Sequence, residues 1–241
     1  MATRQPVFRL RVVVVAVALT LGLLSPSQAL TLGANFKSTF TTNARGWTPV
    51  SGTWTRSGGE LHTAGLVGRM VQTQRSGMYS NFVYTVRAKA TGVSPGYILF
   101  RSAQASPSDA FPHAAYAIGW SGNEASMFAM NAAGDAATGL MTQRIVPSMV
   151  AGGYNTFRVT AIGGVISIAI NGVDVFAVVD NTYSIGRVGV GMYSFGSGEL
   201  FVDSVKLKKI PASLLNRTAQ RPGVIYSTGT PVENPKIKLF P

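Results

Sequence analysis

Beyond residue 30, apolar and polar residues alternate with a period of two, in short runs that end at Gly, Asn or Ser. Such runs predict half-buried strands joined by tight turns, and helical periodicity is nearly absent. The pattern is sharpest from Tyr154 to Asn181. There TFRVTAI ends at Gly163-Gly164, VISIAI ends at Asn171-Gly172, and VDVFAVV follows. A Gly-Gly or Asn-Gly pair between alternating runs marks a two-residue hairpin, because both turn residues are expected at positive φ. A meander of three strands is therefore predicted. Ile166, Ile168 and Ile170 share the face expected to meet the core. Val165, Ser167 and Ala169 share the other, expected to be a solvent face or a shallow groove.

The same reading extends to the rest of the body. FVYTVRAKA places Phe82, Tyr84, Val86 and Ala88 on one face, with Arg87 and Lys89 on the wet one. GYILFRSA places Ile98 and Phe100 on one face, and Tyr97, Leu99 and Arg101 on the other. HAAYAIGW groups Tyr116, Ile118 and Trp120. With GTWTRSGGELHT, GRMVQTQ, GRVGVGMYSF and ELFVDSVKLKKI the count reaches about a dozen strands, at sandwich spacing. So many strands must close into two packed sheets to hide their edges. The predicted class is all-β, a two-sheet antiparallel sandwich over residues 30–210.

The two ends differ from the body. Arg4, Arg9 and Arg11 precede the apolar run Val12 to Leu24, and small residues follow at Ser27 and Ala29. That run is short of the roughly 20 residues a spanning helix needs. Basic, apolar and small in that order is the pattern of a signal peptide, here residues 1–29. The expected mature chain has no transmembrane segment and is secreted or periplasmic, with cell-surface association as a further expectation. Residues 211–241 carry Pro211, Pro222, Pro231, Pro235 and Pro241 with little alternation, and read as a basic extended tail. A protein partner is expected through that tail, or else the tail packs along the sandwich.

Composition adds two constraints. There is no cysteine, so an exported domain has only its core to hold it, and a lipid anchor on cysteine is excluded. The formal net charge is +12, and removal of Arg4, Arg9 and Arg11 leaves 18 basic against 9 acidic residues. That surplus favours anionic surfaces. The basic residues are scattered except for Lys206, Lys208 and Lys209, which fits a solvated basic surface.

The order GTW…GGEL, GYILFR, YAIGW, NTFRVTAIGGVISIAINGVDVFAVVDNTYSIGRVGVGMYS, LFVDSVKL resembles the concanavalin A-like, laminin-G-like jelly roll. Within it, the chain is similar to bacterial levan-binding modules and keto-disaccharide hydrolase-like domains. The resemblance covers roughly Phe36 to Leu207 and is most specific from Asn155 to Val205. It implies a fold well and a function poorly, since this architecture hosts binders, enzymes and spacers.

For a binder, the resemblance implies a groove across one sheet. Carried over by position, its ligand-binding residues are Arg101 first, then Tyr97, Tyr116 and Trp120, with Asn123 and Glu124 in the next turn. An arginine fork can grip two vicinal hydroxyls and an aromatic face can stack a sugar ring. Arg101 paired with an acid such as Glu124 is the other reading. Trp47 and Trp54 are expected in the core. Such jelly rolls also often hold one structural Ca²⁺, which implies Asp203 with Glu60 or Asp180; the first strand, FKSTFTTN, lacks the acid related domains carry. No other cofactor is expected. Catalysis is not expected either: the alternating Glu-Asp-Glu cluster of jelly-roll glucanases is absent, and His62 and His113 are the only histidines. The expectation is an exported, non-catalytic carbohydrate-binding or adhesive module, with a glycan or an anionic cell-surface polymer as partner. The alternatives are an envelope scaffold and a divergent glycoside-acting enzyme.

Overall fold

A computed structural model of the chain describes residues 32–211, apart from Leu66 and residues 104–111. The expected signal segment and the tail beyond residue 211 lie outside the described residues. Among the described residues fifteen strands run in order: β1 (Phe36–Ser38), β2 (Trp47–Ser51), β3 (Thr55–Ser57), β4 (Glu60–Ala64), β5 (Met70–Arg75), β6 (Phe82–Gly92), β7 (Gly96–Ser102) and β8 (Ala115–Ser121), then β9 (Glu124–Met130), β10 (Ala137–Ile145), β11 (Asn155–Ile162), β12 (Val165–Ile170), β13 (Val173–Val179), β14 (Arg187–Tyr193) and β15 (Gly198–Lys209). They form two antiparallel sheets. The larger follows the order β13-β12-β11-β6-β15-β4-β3, with β1 added along β15. The smaller follows β10-β9-β8-β7-β14-β5-β2. The all-β, two-sheet jelly-roll sandwich is as predicted.

Alternation explains the packing. From the larger sheet, Phe82, Tyr84, Val86, Phe157, Val159, Ile166, Ile168 and Leu207 point into one core. Ile98, Phe100, Tyr116, Ile118, Trp120, Val188 and Val190 meet them from the smaller sheet. Trp120 packs on Phe157 across the gap at 4.5 Å between centroids. The Tyr84 hydroxyl, buried between the sheets, donates to the Gly189 carbonyl at 3.1 Å. Trp47 lies in this core and Trp54 packs against it.

The predicted meander of β11, β12 and β13 is present in register. Its second turn has positive φ at both Asn171 (52°) and Gly172 (85°). Its first turn differs from expectation: only Gly163 takes positive φ (54°). Gly164 is required for space instead, since a Cβ there would strike the Asn181 side chain. Asn155, at the head of the NTFRV motif, is buried and staples this end. Its amide donates to the carbonyls of Val150 (2.9 Å) and Gly153 (3.1 Å), and its oxygen accepts from Val150 N–H (2.8 Å) and the Asn171 amide (2.8 Å).

Candidate functional site

The outer face of the smaller sheet, turned away from the core, is the candidate site. Register places its side chains in rows that cross the strands. One row runs Ser51, Gln72, Gly191, Tyr97, Gly119, Ser126. The next runs Thr48, Gln74, Gly189, Leu99, Ala117, Phe128, Gly139. The face is therefore polar over β5 and apolar over β7, β8 and β9. Met70, Tyr97, Leu99, Ala117, Phe128 and Met130 form a second hydrophobic cluster, separate from the main core. Tyr97 meets Phe128 edge-on at 5.9 Å.

Two glycines shape this face. Gly189 and Gly191 are the outward positions of β14, between the glutamines of β5 and the side chains of β7. A Cβ on Gly191 would lie 2.6 Å from the Met70 methyl, and one on Gly189 would lie 2.7 Å from the Thr73 carbonyl. Gln72 and Tyr97 thus flank the stretch of β14 at Gly189 and Gly191 that has no outward side chain, with their Cα atoms roughly 10 Å apart. The Tyr97 ring leans the other way over Gly119, whose Cβ would sit 3.0 Å from it.

The polar atoms here are short of partners. Gln74 donates through its amide to Gln72 Oε1 (3.3 Å) and to the Ser102 hydroxyl (3.2 Å). Gln72 Nε2, Gln74 Oε1, Tyr97 Oη and Arg187 Nε are buried with no hydrogen-bond partner. All four belong to outward positions of this one sheet. Burial pushes the Tyr97 hydroxyl far above the ordinary tyrosine value, with Tyr193 adding to the shift. The middle of the face is closed to water, with Tyr97 1% and Gln72 0% exposed. Its flanks, Ser126, Ala137 and Tyr193, are half-buried.

Of the residues expected to bind ligand, only Tyr97 stands in the middle of this face. Arg101 does not share it, which corrects the expectation from simple alternation. The β7–β14 ladder steps from Leu99↔Gly189 to Ser102↔Arg187, so Phe100 and Arg101 together oppose Val188. This bulge holds Arg101 at φ 48° and turns its side chain inward. Arg101 is 1% exposed. It donates from Nε (3.2 Å) and Nη2 (2.7 Å) to the Ser80 carbonyl, from Nη2 to Gly163 (2.7 Å), and from Nη1 to Tyr183 (2.9 Å). Gly163 is a turn of the larger sheet, so Arg101 ties the two sheets at one end. Neither pairing with Glu124 nor exposure to solvent describes it. Burial lowers its pKa, against the opposing influence of Tyr116 and Asp180.

Tyr116 and Trp120 are core residues, also contrary to a ligand-facing placement, because they alternate in phase with Ile118. The Tyr116 hydroxyl donates to Asp180 Oδ1 and accepts from Tyr183 N–H at 3.1 Å. Asn123 occupies the β8–β9 turn, where its carbonyl accepts from Val146 N–H (2.8 Å). Glu124 begins β9 opposite Ser121, at the end of the sheet away from Arg101.

The expected calcium ligands are not assembled. Asp203 pairs with Arg87 at 3.2 Å, and Glu60 accepts from the Tyr154 hydroxyl. Asp180 lies beyond β13, in the Tyr116 cluster. Burial disfavours its charge, but bonds from Tyr116 and Thr182 and the nearby Arg101 charge outweigh this and hold its pKa below the usual value. Among the described residues no group of three His, Cys, Asp or Glu side chains is spaced to hold a metal ion. Nor is any helix among them long and apolar enough to cross a membrane.

Sequence reasoning missed Gln72, Gln74, Ser102 and Arg187. The signal was present in MVQTQR, where Gln72 and Gln74 follow Met70 on one face of a strand, and in RVGVG, where glycine holds every second position.

Comparison with solved structures agrees on the fold. The carbohydrate binding module CBM66 from Bacillus subtilis is 20% identical, with a TM-score of 0.54, covering 66% of this chain and 94% of that one. Bacillus licheniformis beta-glucanase is 13% identical, with a TM-score of 0.58, over 74% of this chain and 99% of that one. A structure described as a native glycosidic hydrolase is 13% identical, with a TM-score of 0.59, over 76% and 100%. None of the curated proteins compared with the chain matches it. The model of the 3-keto-alpha-glucoside-1,2-lyase-like domain matches residues 35–200. That match spans well over half of the sequence, and the chain belongs to this domain family.

Proposed function

We propose that this protein is an exported, non-catalytic glycan-binding module whose site is the outer face of the smaller sheet. The observation that carries this reading is the gathering of four unpartnered polar atoms on that face. Buried polar groups in folded proteins almost always have partners, so an unsatisfied cluster calls for an explanation. A sugar supplies what is missing: each hydroxyl both donates and accepts. Tyr97 Oη and Gln74 Oε1 can accept, Gln72 Nε2 and Arg187 Nε can donate, and Leu99 and Phe128 offer apolar contact to C–H faces. The likeness to a carbohydrate binding module supports the same reading. So does the carboxylate inventory: among the described residues, Glu124 is the only acid on the strands of this sheet, where paired-acid glycoside hydrolysis needs two. Export is supported by the basic, apolar, small order of residues 1–29.

The test is Tyr97→Phe, assayed by calorimetric titration against fructo- and gluco-oligosaccharides and by denaturant unfolding. Removal of an unpartnered buried hydroxyl should leave stability unchanged or raise it by up to about 1 kcal/mol. Loss of its bond to a sugar should weaken binding by about 1 kcal/mol or more. A variant that binds as the parent does removes Tyr97 from the site. No binding by the parent, or turnover of 3-keto-glucosides, removes the reading itself. Because the middle of the face is closed, association should be slower than at an open groove.

A further inference from the structure

We infer that the outer face of the larger sheet carries a second, independent site, a strip that binds an anionic polysaccharide through Lys37, Lys206 and Lys208. Lys37 and Lys206 stand directly opposite one another on β1 and β15, and Lys208 is the next outward residue of β15. All three are exposed. Like charges at directly opposed positions repel, so this pairing is unfavourable in the isolated protein.

Every neighbouring charge on this face is already engaged. Arg87 pairs with Asp203 (3.2 Å) and lies over the Tyr154 ring. Arg158 pairs with Asp174 (3.4 Å), and His62 with Glu199 (3.2 Å). Lys89 sits over Phe201 (4.3 Å) and Tyr154 (4.7 Å), while Glu60 is held by Tyr154. No ion pair of Lys37, Lys206 or Lys208 occurs among the described residues. A lysine on the short strand β1 could serve to block edge pairing, but that role does not need two more lysines on β15.

The strip fits a flexible polymer that carries an anion on successive units. The lysine Cα atoms are spaced by roughly 5 and 7 Å, and lysine is a point charge without the planar geometry that selects one oxoanion. Nucleic acid fits less well. The aromatic rings on this face, Tyr154 and Phe201, are already engaged by Arg87, Lys89 and His62, which a stacking base would have to displace. The strip faces away from the hydroxyl-binding face proposed above and does not depend on it.

The test measures binding of the intact chain to immobilised polygalacturonate and dextran sulfate at low and moderate salt. The double variant Lys206→Glu, Lys208→Glu is compared with Arg45→Glu, Arg69→Glu, which makes the same charge change at exposed arginines elsewhere. The first should fold at least as well as the parent, because a carboxylate opposite Lys37 replaces repulsion with attraction. It should lose about tenfold or more in affinity, with the control losing a few-fold at most, and salt should weaken the parent. Equal losses in the two variants would reduce the effect to net charge and overturn the strip. No binding by the parent would overturn it also, and tighter binding of single-stranded DNA than of polygalacturonate would overturn the ligand class. Retained binding by Tyr97→Phe is expected and keeps the two sites distinguishable.

Discussion

The two outer faces of this sandwich handle polar groups in opposite ways. On the larger sheet, acids and bases are wet and mutually engaged: Arg87 with Asp203, Arg158 with Asp174, His62 with Glu199. On the smaller sheet, the polar atoms are closed off from water and four of them lack partners. An exposed ion pair contributes about 0–1 kcal/mol. A buried donor or acceptor without a partner costs about 1–3 kcal/mol. The busy face is therefore energetically quiet, and the sparse one holds the unspent hydrogen-bonding capacity. A count of interactions would rank the two faces the wrong way round for function.

The contrast can be broken or sharpened by substitution. The largest effect is expected at Arg101, which both faces depend on because it ties the sheets together. Arg101→Met leaves the Ser80, Gly163 and Tyr183 carbonyls without their buried donor. A loss of about 3–5 kcal/mol should appear in denaturant unfolding. An effect below about 1 kcal/mol would show that the tie is dispensable. Next is Gly191→Ala, which forces Met70 off the middle of the dry face. About 1–3 kcal/mol should be lost, together with oligosaccharide binding, while retention on polygalacturonate is unchanged. The acid limb comes third. Asp180 has a lowered folded-state pKa, so the stability it contributes is present above the unfolded-state value near pH 4. It is lost as pH falls through the folded value. Asp180→Asn should flatten stability over that acid range and change it least below it. The smallest effect is expected on the wet face, where Arg87→Ala should cost less than about 1 kcal/mol and shrink further in salt.

Much of the fold was legible in the chain. The period-two runs located most strands and assigned the core faces of β6 and β12 correctly, because burial on one side leaves a direct trace in alternation. Trp47 and Trp54 were likewise readable as core. The site was less legible, and Arg101 shows why. Its face follows from alternation only while the ladder is regular, and a one-residue bulge opposite Val188 reverses it. No local residue type announces that bulge, since Arg101 is an ordinary side chain held at positive φ by distant carbonyls. Tyr116 and Trp120 failed for a different reason. Their aromatic character suggests a sugar platform, but their phase with Ile118 already placed them inward. Gln72 and Gln74 carried the opposite signal, two amides at alternate positions of one strand, and it is the cross-strand register that puts them on the same face as Tyr97.

Gly189 and Gly191 have one more consequence, for how this protein can be dissected. Alanine scanning works by taking atoms away and asking what is missed. At these two positions it can only add, and the added methyl meets Met70 or the Thr73 carbonyl. The contour of the face is thus written partly in atoms that are not there. A deletion-based map would assign all of the recognition to Tyr97 and its glutamine neighbours and be blind to β14, which sets how far apart those side chains stand.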